Sequence, residues 1–435
     1  MKFYMPSDQF DLYKEGFGSR DVLHRKEIGI QLSKLVEAIS DPLVIAVDGS
    51  WGSGKTFFLK SWVGAHELEN SGKALTIYVD AFRHEYLDDP LTSLILEFEQ
   101  RTELIPQPTT VGKIRNAVVR MAGPVARIGV AIGSAGLAEI AGPVVNAAVT
   151  AAKDEANDIE NYQWRLQRDR MNALEDFRGA LEGYTKNVKK LVFVVDELDR
   201  CRPDFALSLL EVSKHLFSVS GVHFVIGVNL QELRNSVHSR YGPETNANAY
   251  LQKFISITTT LPDEFKGSTT TRAALLYLKE ISNKMDFPPN SFERLEYFCK
   301  GMGEELTLRS IDKIATHLSI LLASNRLTNL VPAYEYGIYG ILILRAVFPE
   351  QFALLKKQLL SLETIETLFG FSGTNNTHRD LLLTDVWLYL LGKEVQPNSS
   401  HSWLFGPFGT DGQHDALESI FDKYFTLFSP SETAF

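Results

Sequence analysis

The chain has 435 residues, 44% of them apolar and 23% charged, with a formal net charge of −10. That length buries one large core or two to three ordinary ones, and the apolar share is that of a soluble globular protein rather than a disordered chain. The acidic balance argues against an extended, sequence-independent nucleic-acid surface, which needs a field of Lys and Arg.

Cys201 and Cys299 are the only two cysteines, too few for a disulfide framework. The opening MKFYMPSDQFDLY lacks the basic, then apolar, then small-residue order of a secretory signal. Both features set the expectation of a reducing cytoplasm.

Residues 20–40 carry Ile28, Leu32, Leu35, Val36 and Ile39 at helical spacing, which predicts an amphipathic helix ahead of the first strand. Next comes LVIAVDGSWGSGKTFF, an apolar run leading into G-x-x-x-x-G-K-[ST] with Gly49, Gly54, Lys55 and Thr56 in the fixed places. A loop wrapped round a phosphate must bring several backbone N–H groups to its oxygens, and Gly49, Gly52 and Gly54 leave the backbone free to do so. Lys55 is then the cation for the β and γ phosphates, and the Thr56 hydroxyl a ligand for Mg2+. The bland alternative is a glycine-rich turn, but the apolar run before it and the helical FFLKSWV after it supply the setting of a phosphate loop. The expected nucleotide-binding set is Gly49, Ser50, Trp51, Gly52, Ser53, Gly54, Lys55, Thr56 and Phe57. In such proteins the segment just upstream lies near the base, which makes residues 18–25 candidates for adenine contacts.

ALTIYVDAF reads as a second buried strand ending at Asp80, and Pro90 opens a helix with Leu91, Leu94, Ile95 and Phe98 on one face. This alternation is that of an α/β fold. Residues 111–152 turn to Ala, Gly, Val and Ile, an insert whose two uncharged runs are each too short for a span of about 20 residues. Its small residues suit close helix packing in lipid, in a soluble hairpin or between subunits, so membrane contact stays open. Residues 153–187 are charged with helical periodicity, and Trp164, Leu166, Met171, Leu174, Phe177 and Leu181 are expected to form one packing stripe.

In LVFVVDE the unbroken run at 191–195 is that of a parallel strand covered on both faces, with Asp196 and Glu197 at its carboxyl end. Ligands of open α/β sheets bind there. A first carboxylate can support Mg2+, and a second can take the proton of the water that attacks the γ phosphate. An exposed acidic turn is the alternative, and the upstream phosphate loop weighs against it. FVIGVN then delivers Asn229 to the same edge, either as a γ-phosphate contact or as the cap of the following helix.

Together, DGSWGSGKT at 48–56, VDAFRHE at 79–85, VVDELDRCRPDFALSLLE at 194–211, FVIGVN at 224–229 and AYLQKFISITTTLP at 249–262 resemble the KAP P-loop NTPases, a branch of the STAND-related ATPases. The resemblance covers about residues 18–325. It differs from the family's usual pattern in having Asn229 for an aspartate, Asp196-Glu197 for Asp-Asp, and no two clean membrane spans in the insert. It implies interest in Arg200, Arg202, Lys253 and Arg309, with Arg309 as a γ-phosphate sensor and Arg200 or Arg202 as a finger toward a neighbouring subunit. For each, the plain alternative is a surface ion pair. Cys201 is expected to be a packed small residue.

From residue 326 the chain is leucine-rich, with helical stretches at 339–348, 352–371 and 381–392. No metal-ligand spacing is present, and His401 and His414 do not cluster with cysteine.

The expected architecture is therefore a P-loop parallel sheet at 1–325, with a helical insert at about 111–187, and a helical module at 326–435. The expected function is ATP binding and hydrolysis with Mg2+ as a conformational switch, in an oligomer or with a partner protein. Phage defence is what the resemblance implies for its setting. A small-molecule kinase and a nucleotide-gated membrane scaffold are the alternatives.

Overall fold

The computed structural model describes residues 11–87, 89–103, 159–216, 218–266, 270–285, 287–323, 330–374, 377–395, 401, 403–405 and 415–425. The insert at 111–152, its expected membrane contact and His414 lie outside the described residues. The chain divides into two compact units, Phe10–Leu261 and Pro262–Phe435.

In the first unit, helix α1 (Lys26–Ala38) leads into β1 (Val44–Asp48), α2 (Lys55–Leu68) and β2 (Leu75–Asp80). The short helix α3 (Ala81–His84) and α4 (Pro90–Glu103) follow. After the helix Ile159–Asn187 come β3 (Leu191–Asp196), the helix Pro203–Leu216, β4 (Val222–Val228), the helix Leu230–Tyr241 and β5 (Ile257–Thr260). The five strands form one parallel sheet in the order β2-β3-β4-β1-β5.

Alternate strand residues serve opposite faces of this sheet. Ala46, Ile77, Phe193 and Phe224 enter one core with α4 and the helices at 159–187, 203–216 and 230–241. Ile45, Val47, Val192, Val194 and Val225 enter the other, with Phe17, α1 and α2. β1 to β4 are covered on both faces and read as mainly apolar runs in the sequence, whereas the edge strand β5, ITTT, is mostly exposed. The register sets Asp80 opposite Asp196 and Asp48 opposite Val228, so the strand ends collect at one edge.

Three expectations are corrected. The first helix starts at Lys26 rather than near residue 20, because the Asp21 carboxylate takes the backbone N–H groups of Arg25 and Lys26, each at 2.8 Å. The helix at 159–187 buries Ala173, Phe177, Ala180, Leu181 and Tyr184, whereas Met171 is 72% exposed. At 100° per residue, Met171 lies more than 100° round the helix from the centre of that face. The stretch at 352–371 is two helices, Pro349–Lys356 and Leu362–Phe369, separated where Gln358 takes φ 58°.

The second unit opens with the antiparallel strands β6 (Glu264–Lys266) and β7 (Thr270–Arg272). It continues as helices around one core that runs from Ala274 to Phe425. The helix Pro332–Val347 is its centre, with Ile338 and Ile341 to Leu344 fully buried. His401 is buried against the Asp385 carboxylate at 2.9 Å, a pairing invisible in the sequence. Among the described residues no helix is long and apolar enough to cross a membrane.

Candidate functional site

The site is assembled at the carboxyl edge of β1, β3 and β4. Between β1 and α2 the loop reverses through Gly52 at φ 82° and Gly54 at φ 85°, values that L side chains rarely adopt. Gly49 donates its N–H to the Val228 carbonyl of β4 at 3.1 Å, anchoring the loop to the sheet. The Lys55 ammonium turns back into the loop, donating to the carbonyls of Gly49 at 2.6 Å and Ser50 at 3.1 Å. Burial pulls its pKa down, opposed by the charges of Asp199, Asp196 and Asp48.

Asp196, at the end of β3, is 1% exposed. Its Oδ1 accepts the Glu197 N–H at 2.9 Å and its Oδ2 the Tyr78 hydroxyl at 2.8 Å. The Thr56 side chain lies close enough to this carboxylate to favour its charged form. Burial raises the Asp196 pKa, and Tyr78, Thr56 and Glu197 oppose that rise.

Glu197 follows in the left-handed region at φ 59°, and its carboxylate pairs with Arg200 at 2.9 Å. Desolvation raises its pKa, with Arg200 acting the other way and Asp196 and Asp80 adding to the rise. A carboxylate shifted upward is a stronger base at neutral pH than an ordinary glutamate.

Two links tie neighbouring segments to the phosphate loop. The Trp51 indole N–H donates to Asp199 Oδ2 at 2.6 Å, joining the loop to the turn that carries Glu197. The Arg25 guanidinium donates to the carbonyls of Ser53 at 2.8 Å and Gly54 at 3.4 Å. The 18–25 segment considered for the base is thereby held against the loop. Neither link has a signature in sequence spacing, since the partners stand 148 and 28 residues apart.

A profile described as the KAP family P-loop domain matches residues 25–325. The chain belongs to the KAP family of P-loop NTPases. An uncharacterized protein of Methanocaldococcus jannaschii, MJ0182, is 26% identical over 167 residues, covering 33% of this chain and 84% of that protein. The Aeropyrum pernix ORC2 protein, solved in ADPNP-ADP complexes, aligns with 92% of this chain and 94% of its own at 12% identity and a TM-score of 0.39. Its ADP form aligns with 92% and 85%, at 13% identity and the same TM-score of 0.39.

Nucleotide binding is the general property of KAP P-loop domains, and the residues here fit a phosphate and a hard cation. Ser53 Oγ is buried in the loop without a hydrogen-bond partner among the described residues. The amides at the start of α2 form the kind of helix N-terminus that receives anions. Thr56 and Asp196 offer oxygen donors of the kind that Mg2+ takes.

The remaining expected residues fall as follows. Asn229 caps the 230–241 helix, its side chain accepting from Gln231 N–H at 3.1 Å, while Asp48 accepts from Leu230 N–H at 2.9 Å. Phe57 is the third residue of α2. Arg202 pairs with Glu85 at 2.9 Å, and Lys253 lies 5.4 Å from the Tyr250 ring centroid. Arg309 is exposed near the start of the helix Leu308–Ala323, in the second unit. Cys201 is buried, and desolvation pushes its thiol pKa up, so it is a packed residue rather than a reactive one.

Proposed function

We propose that this KAP chain is an ATP-hydrolysing switch whose catalytic groups are those at the sheet edge. The observation that carries the reading is the closeness of Thr56, from the phosphate loop, to Asp196, from the end of β3, with Glu197 next in the chain. Lys55 holds the β and γ phosphates, and the N-terminal amides of α2 receive their oxygens. Thr56 and Asp196 hold Mg2+, which when bound neutralises charge on the phosphates. Glu197 orients the attacking water and takes its proton, a task suited to its raised pKa. Asn229, at the end of β4, shares its amide between the helix cap and the γ phosphate.

The helical unit then reads out the nucleotide state, in an assembly with further copies of the chain or with a partner protein. The family resemblance suggests bacterial phage defence as the setting, and any membrane association would run through residues 111–152. Glu197→Gln should retain ATP binding by calorimetry while phosphate release, measured without an added acceptor, falls at least 100-fold. Turnover at the wild-type rate would place the base elsewhere. The same assay run against protein concentration tests assembly, because activity rising faster than linearly marks a site completed by a neighbour.

A further inference from the structure

Asp196 is held from two sides, and the partner on Oδ2 comes from outside both sequence motifs. Tyr78 lies on β2, paired with Val194, while Asp80 pairs with Asp196. Its hydroxyl therefore reaches along the neighbouring strand to donate to Asp196 Oδ2 at 2.8 Å. The ring is 7% exposed, and the Tyr78 N–H donates to the Tyr13 hydroxyl at 3.0 Å. The Lys60 ammonium lies 5.6 Å from the ring centroid. A phenylalanine would fill the same space, and among the described residues the hydroxyl bonds only Asp196.

We propose that Tyr78 is a positioning residue for the metal-supporting carboxylate. With Oδ1 held by the Glu197 N–H and Oδ2 by Tyr78, the carboxylate plane is fixed, and the lone pairs left over keep one orientation beside Thr56. A carboxylate free to rotate would meet a cation with its donors in many orientations, most of them unproductive. Fixing a ligand from behind in this way typically governs metal affinity by 10- to 100-fold. The inference rests on reading Asp196 as the metal-supporting group.

The test uses the full chain carrying Tyr78→Phe. Mn2+ is titrated into the ADP complex and the free ion followed by electron paramagnetic resonance, beside the Mg2+ dependence of phosphate release. Mn2+ affinity should fall about tenfold or more, and the Mg2+ concentration for half-maximal turnover should rise in step. ADP affinity without metal should be unchanged, and turnover at saturating Mg2+ should approach wild type. Tyr13→Phe, which removes the acceptor of the Tyr78 N–H but leaves the Asp196 bond, should leave Mn2+ affinity alone. Unchanged Mn2+ affinity in Tyr78→Phe, alongside its loss in Asp196→Asn, overturns the positioning role and leaves the metal reading intact. Wild-type Mn2+ affinity in Asp196→Asn overturns the metal reading itself. If the Phe variant does not fold, Tyr78→His replaces it, with a weakened Mn2+ affinity expected and an unchanged one refuting.

Discussion

Gly227 is the point where packing of the sheet and orientation of the site meet, and Gly227→Ala puts that coupling to the test. Gly227 lies on β4 opposite Val47. A Cβ there would stand 2.4 Å from Leu59 Cδ1 and 2.9 Å from Asp196 Oδ1. Leu59 is fully buried on α2, the helix that begins with Lys55 and Thr56, and Oδ1 already accepts the Glu197 N–H. Both side-chain ends must therefore shift within a buried setting, so Leu59 has to repack and the Asp196 carboxylate has to turn. Overpacking of this kind costs about 1–3 kcal/mol. At roughly 2 kcal/mol, a unit of this size should lose about 4–8 °C in Tm, read by calorimetry. Phosphate release should fall further than the stability loss explains, since the Asp196 carboxylate is one of the groups displaced. Gly179→Ala is the control, because a Cβ there meets nothing within 4 Å. A Gly227→Ala protein with wild-type Tm and wild-type turnover would refute the reasoning.

Lys55→Ala should abolish tight ATP binding in calorimetry, and unchanged affinity would contradict the phosphate-loop reading. Arg200→Ala should shift stability by less than about 1 kcal/mol, because the pair with Glu197 is partly solvated. Its turnover should change less than about tenfold, whereas a loss near 10³-fold would mark Arg200 as a finger. His223 is fully buried in β4, and burial together with Lys190 pushes its pKa down to about 4. The unfolded chain takes up that proton near pH 6.5 and the folded chain does not, so its stability contribution is complete above 6.5 and declines as the pH falls toward 4. At 1.36 kcal/mol per pH unit the decline amounts to about 3 kcal/mol, and urea unfolding of wild type against His223→Leu should show the variant's curve flatter across that range.

What the sequence made legible follows the physics of each feature. The phosphate loop and the acidic pair are local: their chemistry is set by neighbours a few residues away, so spacing alone reveals them. The strands β1 to β4 are readable because burial on both faces leaves mainly apolar runs, whereas β5, exposed and threonine-rich, offers no such signal. The contacts of Tyr78, Trp51 and Arg25 leave no trace in the sequence, because their partners are chosen by strand register and loop closure over 28 to 148 residues. Gly227 was equally silent, since its lack of a side chain matters only once β4 lies beside Asp196. Met171 falls outside the packing stripe because apolar character at helical spacing does not say which side of the helix meets the sheet. The helix start after Asp21 is hidden for a related reason, a capping carboxylate standing four and five residues ahead of the amides it serves.

The bridge from Trp51 to Asp199 has an optical consequence. Trp51 is 46% exposed and its indole N–H is bonded to a carboxylate, whereas Trp62 and Trp387 are fully buried and Trp403, equally exposed, lies in the second unit, so the Trp51 signal is the part that Trp51→Phe removes. An indole in that position emits at longer wavelength and is open to collisional quenchers that cannot reach the core. Any rearrangement of the phosphate loop that breaks the Asp199 bond changes both its emission and its quenching. The chain therefore carries its own fluorophore at the loop, and nucleotide binding can be followed in the unlabelled protein, with Trp51→Phe supplying the blank.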